Sequence, residues 1–409
     1  MKKTSPLIVG LDIGTSNVCA VVAERNESGL EVIGYGTAPT GGMRKGVVVD
    51  IEATVDSIAK AVVEAETMAR CEIGSVFIST ANGHIKGFDS QGMIAMRNDE
   101  VTAEDIARVI DAARAVAIPT DREVLHVLPR EFILDGQSGI KDPVGMQGVR
   151  LEAVCHIVTG QAASHTNLER CCHQAGLDVD NITLESLASA EAVLTPEERE
   201  LGVALIDIGG GTSDLVVFVN DSVAHTFVLG LGGIHATNDI AHGLHTTAAN
   251  AEWLKKRYGN CVPGRVVPGE EIEVESLGDR EPRAVDQREL CEIIEFRVAE
   301  ILHLIHEEIL RKELDVAIPA GIVLTGGVAD MRGIEELAEA IFGCPVRLGR
   351  PRHVGGLVDV VSSPMYAAAV GLVLLGSREM LPGRRPVGER RNLGSVVGRM
   401  KGWMKKLWT

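Results

Sequence analysis

Several features that define common protein classes are missing from this chain of 409 residues. The longest late apolar run, 365–375, falls far short of the roughly 20 residues that cross a bilayer. The apolar run at 6–11 stops at Asp12 and is too short for a secretory signal. The eight cysteines form no CxxC pair and show no zinc-like spacing. We therefore predict no membrane span, no export signal and no zinc site, and we expect buried thiols in a reducing cytoplasm.

The charge of the chain is acidic overall but unevenly distributed. The net charge is −17, yet residues 377–409 hold nine basic and two acidic side chains, which leaves −24 for the body. An acidic body argues against nucleic acid as a partner, because phosphate neutralisation needs a basic face. The hydrophobic share of 45% is that of a globular protein, and the length predicts two to four compact units.

The same order of strands and helices is predicted twice along the chain. The first set consists of three apolar strands, a helix and a strand, at 7–12, 18–23, 30–35, 51–70 and 76–80. The second set consists of three strands at 203–207, 215–220 and 222–229, three helices at 233–243, 250–258 and 286–314, and a strand at 322–325. This repetition predicts an α/β fold made of two duplicated lobes.

Residues 84–160 do not fit this repeat. They hold a short helix with Thr102 as its predicted N-cap, flanked by strand-like runs at 124–134 and 149–159. An inserted α+β subdomain is the simplest interpretation. After Gly376 the composition turns to Gly, Pro and Arg, which is typical of a linker.

Two glycine-rich loops occupy equivalent places in the predicted halves, each between two strands. They are Asp12-Ile13-Gly14-Thr15-Ser16-Asn17 and Asp207-Ile208-Gly209-Gly210-Gly211-Thr212-Ser213-Asp214. Glycines at such turns let backbone N–H groups approach phosphate oxygens, and the hydroxyls add donors. Asp12 and Asp207 each end an apolar strand, where a carboxylate favours Mg²⁺ or its waters. Either loop alone could be a hairpin with a capping aspartate, but the two loops together predict a phosphate site. The sequence contains neither a P-loop nor a Rossmann motif.

These motifs resemble those of the actin, sugar-kinase and heat-shock-chaperone superfamily, whose two lobes clamp ATP between two phosphate loops. Gly326 and Gly327 resemble its adenosine motif, and Glu252 with Lys255 resembles the helical ExxK pair beside adenosine. On its own, the ExxK pair would be interpreted as an ordinary solvated helix pair. The resemblance implies ATP as a cofactor, together with Mg²⁺ held through water.

Two segments resemble the connecting helices at the hinge of this superfamily, at 184–189 and 363–371. Their small residues permit close helix contact and shear between the lobes. Glu185 falls where chaperone relatives carry a water-orienting acid. An acid favoured by the macrodipole at a helix N-terminus is an equally good interpretation, so no catalytic residue is assigned.

The segment 395–409 has the pattern of a basic amphipathic helix. Its apolar residues recur at helical spacing and are Val396, Val397, Met400, Trp403, Met404, Leu407 and Trp408. Its cations are Arg399, Lys401, Lys405 and Lys406. Such a helix binds the surface of an anionic membrane, and a terminal helix docked on the body is the alternative.

The whole pattern resembles the FtsA family of bacterial actin-like cell-division proteins. The resemblance implies an actin-like two-lobed ATPase fold with an inserted subdomain and a tethered terminal helix. The implied first lobe consists of 1–84, 161–198 and about 355–376, and 85–160 form the inserted subdomain. The core of the second lobe consists of 199–232 and 318–354, and 233–317 form its outer subdomain. A linker at 377–394 and a membrane helix at 395–409 follow.

The resemblance also implies partners and a place in the cell. It implies that 233–317 takes the C-terminal peptide of the tubulin-like ring protein FtsZ and that 85–160 receives later division proteins such as FtsN. Actin-like filaments, anionic lipids and the inner face of the cytoplasmic membrane at the septum follow from the same resemblance.

Two other functions remain open at this stage. An actin-fold phosphotransferase or ATPase would need a substrate pocket with a positioned general base, and no residue is assignable to that role. A chaperone-like ATPase would need a peptide-binding domain, which the linker and helix after the hinge do not supply.

Overall fold

The computed structural model describes residues 7–26, 29–278 and 280–379. These residues form two α/β lobes, each centred on its own sheet, together with a separate four-stranded sheet. The predicted membrane helix at 395–409 lies outside the described residues, as does the predicted linker from 380 onward. No helix within the described ranges is both long and apolar enough to span a membrane.

The first lobe opens with the predicted order of three strands, a helix and a strand. The elements are β1 Leu7–Ile13, β2 Asn17–Asn26, β3 Gly29–Pro39, β4 Met43–Arg44, β5 Val47–Val48, α1 Ile51–Ala69 and β6 Ser75–Thr80. Asp50 caps α1 by accepting a hydrogen bond from the Ala53 N–H. Gly36 lets α1 lie close to β3, because a Cβ there would stand 2.0 Å from the Ala61 carbonyl oxygen. The β4–β5 hairpin was not predicted, since two-residue strands carry no periodic signal.

The predicted insertion is present as a four-stranded antiparallel sheet with one helix. Its elements are β7 Lys86–Ala95, α2 Ala103–Arg114, β8 Arg122–Leu134, β9 Gln137–Ile140 and β10 Arg150–Gln161. The sheet order is β7-β10-β8-β9. The predicted N-cap is confirmed, since Thr102 and Asp105 form a reciprocal capping box at the start of α2.

The chain then returns to the first lobe and crosses to the second. The connecting elements are α3 Ala162–Gln174, β11 Asp178–Leu184, α4 Glu185–Val193 and α5 Pro196–Leu201. β11 pairs with β6, which gives the first sheet the order β11-β6-β1-β2-β3.

The second lobe repeats the first. Its elements are β12 Val203–Ile208, β13 Ser213–Val219, β14 Ser222–Leu229, α6 Gly233–Gly243, α7 Ala248–Tyr258, β15 Glu271–Val274, β16 Arg283–Asp286, α8 Gln287–Arg311, β17 Ile322–Thr325, α9 Ile334–Phe342 and β18 Val346–Leu348. Its sheet order, β14-β13-β12-β17-β18, matches β3-β2-β1-β6-β11 with the same strand directions. The predicted duplication is therefore confirmed.

Two helices cross where the lobes meet. After β19 Gly355–Gly356 and α10 Val358–Val361, α11 Ala367–Glu379 packs against α4. A Cβ at Gly371 would stand 1.7 Å from the Ala188 carbonyl oxygen, so the two backbones touch at this glycine. The helix continues to Glu379, past the predicted start of the linker at 377. Its last turn is held by Arg378, which pairs with Glu191, and by the Asn181 amide, which donates to Glu379 at 2.8 Å.

We predict that Gly371→Ala destabilises the fold by about 1–3 kcal/mol, because the added methyl group forces the two helices apart. In an open helix the same change would be stabilising. Gly264→Ala is the matched control, since no atom of the described residues, its chain neighbours aside, lies within 4 Å of a Cβ there. Urea unfolding of the three proteins measures the difference, and equal midpoints would contradict the close contact between α4 and α11.

Candidate functional site

A cavity of about 310 Å³ opens between the two lobes. Both glycine-rich loops, the start of α4, helix α7 and the turn after β17 line it. The predicted nucleotide-binding residues that line it are Asp12, Gly14, Thr15, Ser16, Asn17, Asp207, Gly209, Gly210, Thr212, Glu252, Lys255, Gly326 and Gly327. The fold therefore brings together residues that are far apart in sequence. Gly211 alone among the predicted set does not line the cavity.

The two loops have the same backbone turn. The Gly14 N–H donates to the Asn17 carbonyl at 3.1 Å, and the Gly209 N–H donates to the Thr212 carbonyl at 3.0 Å. Each turn joins a pair of antiparallel strands, β1 to β2 and β12 to β13. The duplication thus extends from the sheets to the hydrogen bond inside each loop.

The loops face each other closely across the cleft. A Cβ at Gly210 would stand 2.0 Å from the Ser16 Oγ, and one at Gly211 would stand 2.4 Å from the Thr15 Oγ1. Gly211 therefore makes room for the opposite loop instead of lining the cavity. Only glycine fits these two positions while the lobes hold this arrangement.

Two predicted aspartates are buried at the base of the loops. The Ser79 hydroxyl donates to Asp12 at 2.6 Å, and the Ser189 hydroxyl donates to Asp207 at 2.5 Å. Burial raises the pKa of Asp12 to about 6 and that of Asp207 to about 7, although each serine bond opposes the shift. The two serines were not predicted, because they lie on β6 and α4, outside both loops.

A third aspartate, Asp214, was not predicted as a site residue. It is 1% exposed, and neither carboxylate oxygen has a hydrogen-bond partner among the described residues. The nearby Thr212 hydroxyl lowers the pKa of Asp214, but the two groups do not meet the geometry of a hydrogen bond. Burial, followed by repulsion from Asp207, raises the pKa of Asp214 well above its usual range. The duplication offered a signal, since Asp214 pairs with Asp207 as Cys19 pairs with Asp12.

The carboxylates fit a divalent cation that brings further ligands of its own. No three His, Cys, Asp or Glu residues of the described chain converge closely enough to hold a metal ion by themselves. A buried carboxylate without a partner, such as Asp214, is nevertheless costly unless a positive charge compensates for it. A hydrated Mg²⁺ that also contacts phosphate oxygens meets both conditions.

The predicted ExxK pair lies on α7 beside the cavity. The Lys255 Nζ lies 2.6 Å from a Glu252 carboxylate oxygen and donates to the Gly233 carbonyl at 3.0 Å. The Thr237 hydroxyl also donates to Glu252. Lys255 is 8% exposed, so it differs from the solvated helix pair that the bare motif would indicate. Burial lowers the pKa of Lys255, although Glu252 opposes the shift.

Glu185 satisfies both interpretations made from the sequence. It is the first residue of α4, where the helix macrodipole favours an acid, and it also lines the cavity. Burial, followed by repulsion from Asp12 and Asp207, raises the pKa of Glu185 well above its usual range. A protonated carboxyl is a poor general base, so any such role requires a cation that restores its charge.

We predict that, in the chain free of divalent cations and nucleotide, the contribution of the buried aspartates to stability falls as the pH rises from about 4 to 8. Asp12, Asp207 and Asp214 hold protons in the folded state at pH values where the unfolded state has released them. Asp214→Asn removes one of these groups, so its melting temperature should gain on the wild type as the pH rises. Asp111→Asn, on an exposed helix position, is the control. A difference that stays constant with pH would contradict the burial of an uncompensated carboxyl at Asp214.

The sequence and the fold are similar to those of known proteins. The family model described as cell division protein FtsA matches residues 204–371, and the model of the SHS2 domain inserted in FtsA matches 82–159. The computed structure is similar to the PilM-PilN type IV pilus biogenesis complex, with a TM-score of 0.66, 18% identity and coverage of 90% of this chain and 98% of the other. It is also similar to MreB5 of Spiroplasma citri bound to ADP, with a TM-score of 0.56, 16% identity and coverage of 92% and 97%. These neighbours support the actin-like fold.

The relatives in sequence are similar over nearly their whole length. The chain is 46% identical to cell division protein FtsA of Pseudomonas aeruginosa, with 98% of each chain covered. It is 40% identical to FtsA of Neisseria meningitidis, with 99% of each covered, and 39% identical to FtsA of Escherichia coli, with 98% of each covered. The chain therefore belongs to the FtsA family of cell division proteins.

Proposed function

We propose that this cell division protein binds Mg-ATP in the cleft between its lobes. The observation that carries the proposal is the pair of equivalent loops that face each other above the buried Asp12, Asp207 and Asp214. Backbone N–H groups of both loops would hold the phosphates, and Thr15, Ser16 and Thr212 would add hydroxyls. Asp12 and Asp207 would hold the cation through its waters.

The adenosine end of the cleft would be formed by the second lobe. Gly326 has a φ of +87°, and a Cβ there would stand 2.2 Å from the Asp207 Oδ1. The turn after β17 can come this close to the cavity because Gly326 has no side chain. Glu252 and Lys255 close the other side through their ion pair. MreB5 of Spiroplasma citri, a protein of similar fold, has been solved with ADP and with AMPPNP.

ATP acts in this proposal as a ligand of conformation more than as fuel. Both loops contribute to one phosphate site, so the nucleotide favours the arrangement in which the lobes are closed. The closed form favours actin-like filaments of this chain. Glu185 is the residue through which weak hydrolysis would occur, once a cation restores its charge.

The filament would connect the division ring to the membrane. We infer that the helix at 395–409 binds anionic lipids on the inner face of the cytoplasmic membrane at the septum. Region 233–317 would take the C-terminal peptide of FtsZ, and the inserted subdomain would receive later division proteins such as FtsN. One helix binds reversibly, whereas many copies in a filament gain avidity.

We predict that Asp207→Asn weakens the binding of Mg-ATP about tenfold or more, because a charged group that orders the hydrated cation is lost. Isothermal titration with Mg-ATP, and with ATP in EDTA, separates the cation contribution from the rest. Asp111→Asn is the matched control. Equal affinities of the two variants for Mg-ATP would contradict the assignment of Asp207.

The adaptor role is tested by co-sedimentation with liposomes that contain anionic lipid. We predict that the full chain sediments with the vesicles and carries the FtsZ C-terminal peptide, whereas a chain that ends at Asn392 stays in the supernatant with the peptide. Mg-ATP should strengthen the sedimentation of the full chain. Equal sedimentation of both chains would remove the terminal helix from the mechanism, and failure to capture the peptide would favour an actin-fold enzyme.

A further inference from the structure

The inserted subdomain contacts both lobes through two histidines, of which His156 is buried and His126 is half-buried. His126 lies on β8 and His156 on the adjacent strand β10. The strand register pairs His126 with Val158 and His156 with Leu128, which places both rings on one face of the insertion. The two histidines therefore belong to one rigid piece of sheet.

His126 binds the first lobe next to the cleft. The Leu184 N–H donates to its Nε2 at 2.9 Å, so this nitrogen is an acceptor and the proton lies on Nδ1. Burial, with a smaller effect of His165, lowers the pKa of His126 to about 4, which keeps the ring neutral and able to accept. Leu184 ends β11, and the next residue is Glu185, which lines the cavity.

His156 binds the second lobe. Its Nε2 lies 2.9 Å from the Thr226 Oγ1, and its Nδ1 lies 2.8 Å from an Asp89 carboxylate oxygen on β7. His156 is 1% exposed and Thr226 is 3% exposed. Gly87 leaves room for this contact, because a Cβ there would stand 2.4 Å from the Thr226 hydroxyl.

Thr226 is connected to the second phosphate loop through a short segment. It lies on β14, whose last residue, Leu229, pairs with Ser213 directly after the loop. The turn that follows β14 packs on the loop itself, since the Gly233 N–H donates to the Gly209 carbonyl at 2.9 Å. The Ser213 hydroxyl also donates to the Leu231 carbonyl at 2.9 Å.

Apolar side chains from all three parts seal the junction. Val158 of the insertion, Leu184 of the first lobe and Val228 of the second lobe form one buried cluster. His156 and Thr226 are buried as well, so the hydrogen bond between them is costly to break without a replacement.

We propose that the inserted subdomain couples the nucleotide site to its own surface by joining the two lobes through His126 and His156. A rigid sheet bound to both lobes of a hinged clamp cannot keep both contacts when the angle between the lobes changes. The nucleotide state therefore alters the fit of the insertion, and a ligand that binds the insertion alters nucleotide affinity by the same factor. The inference depends on the proposed Mg-ATP site.

Thr226→Val tests the coupling, because it removes the hydroxyl and keeps the size of the side chain. The histidine contacts are present in the arrangement in which the two phosphate loops face each other closely. Losing the contact between His156 and Thr226 should destabilise that arrangement and therefore weaken Mg-ATP binding about fivefold. Hydrogen exchange of full-length protein should also show that Mg-ATP changes amide protection in β8 and β10 of the wild type, and that this response is lost in the variant. Gly87→Ala, which displaces the same contact from β7, should give the same two effects. Thr67→Val, on the exposed side of α1, is the control and should behave as the wild type.

The outcomes separate this inference from the proposed function. Wild-type affinity together with a wild-type exchange response in both Thr226→Val and Gly87→Ala would overturn the coupling and leave the nucleotide site intact. Absence of Mg-ATP binding in every protein, including the wild type, would overturn the proposed function and the coupling with it.

Discussion

The burial of Asp12, Asp207 and Asp214 beside the two glycine-rich loops is the constraint around which the structure is organised. Each aspartate lies in a buried strand beside a glycine-rich loop, where burial limits the solvation of its charge. Serine hydroxyls from β6 and α4 compensate for two of the three charges. The uncompensated charge of Asp214 is one reason for proposing that the cleft binds a divalent cation. Since Asp12 and Asp207 line the cavity from different lobes, a cation bound between them would also favour lobes that stay together.

The duplicated halves differ at the residue that pairs with the aspartate of each loop. The strand orders and the loop hydrogen bonds are the same in both lobes, but Cys19 occupies the place that Asp214 occupies in the second. Burial raises the pKa of the Cys19 thiol, so this position stays uncharged in the first lobe. A fourth aspartate would add repulsion to a cleft that already contains Glu185.

The sequence predicts most of the fold because the signals are local. Apolar strands bounded by turn residues, the Thr102 cap and the repeat of one order in two halves are all visible within short windows. β7 was not predicted, because two glycines and alternating polar residues weaken its strand pattern. The candidate site was predicted as far as its motifs extend. The burial of Asp214 and the contacts of the serines with Asp12 and Asp207 depend on the packing of the strands and helices around the loops. Gly211 was assigned to the cavity because the approach of two loops cannot be read from either loop alone.

The inserted subdomain also covers one edge of the second sheet. β14 is the edge strand of the second sheet, and the insertion covers that edge from β7, β8 and β10. The Ser222 hydroxyl, at the start of β14, donates to the Arg130 carbonyl of β8 at 3.0 Å. A chain without the insertion would present an open strand edge next to Val228, and such edges recruit other chains. The inserted subdomain therefore also shields this edge of the second lobe from pairing with another chain.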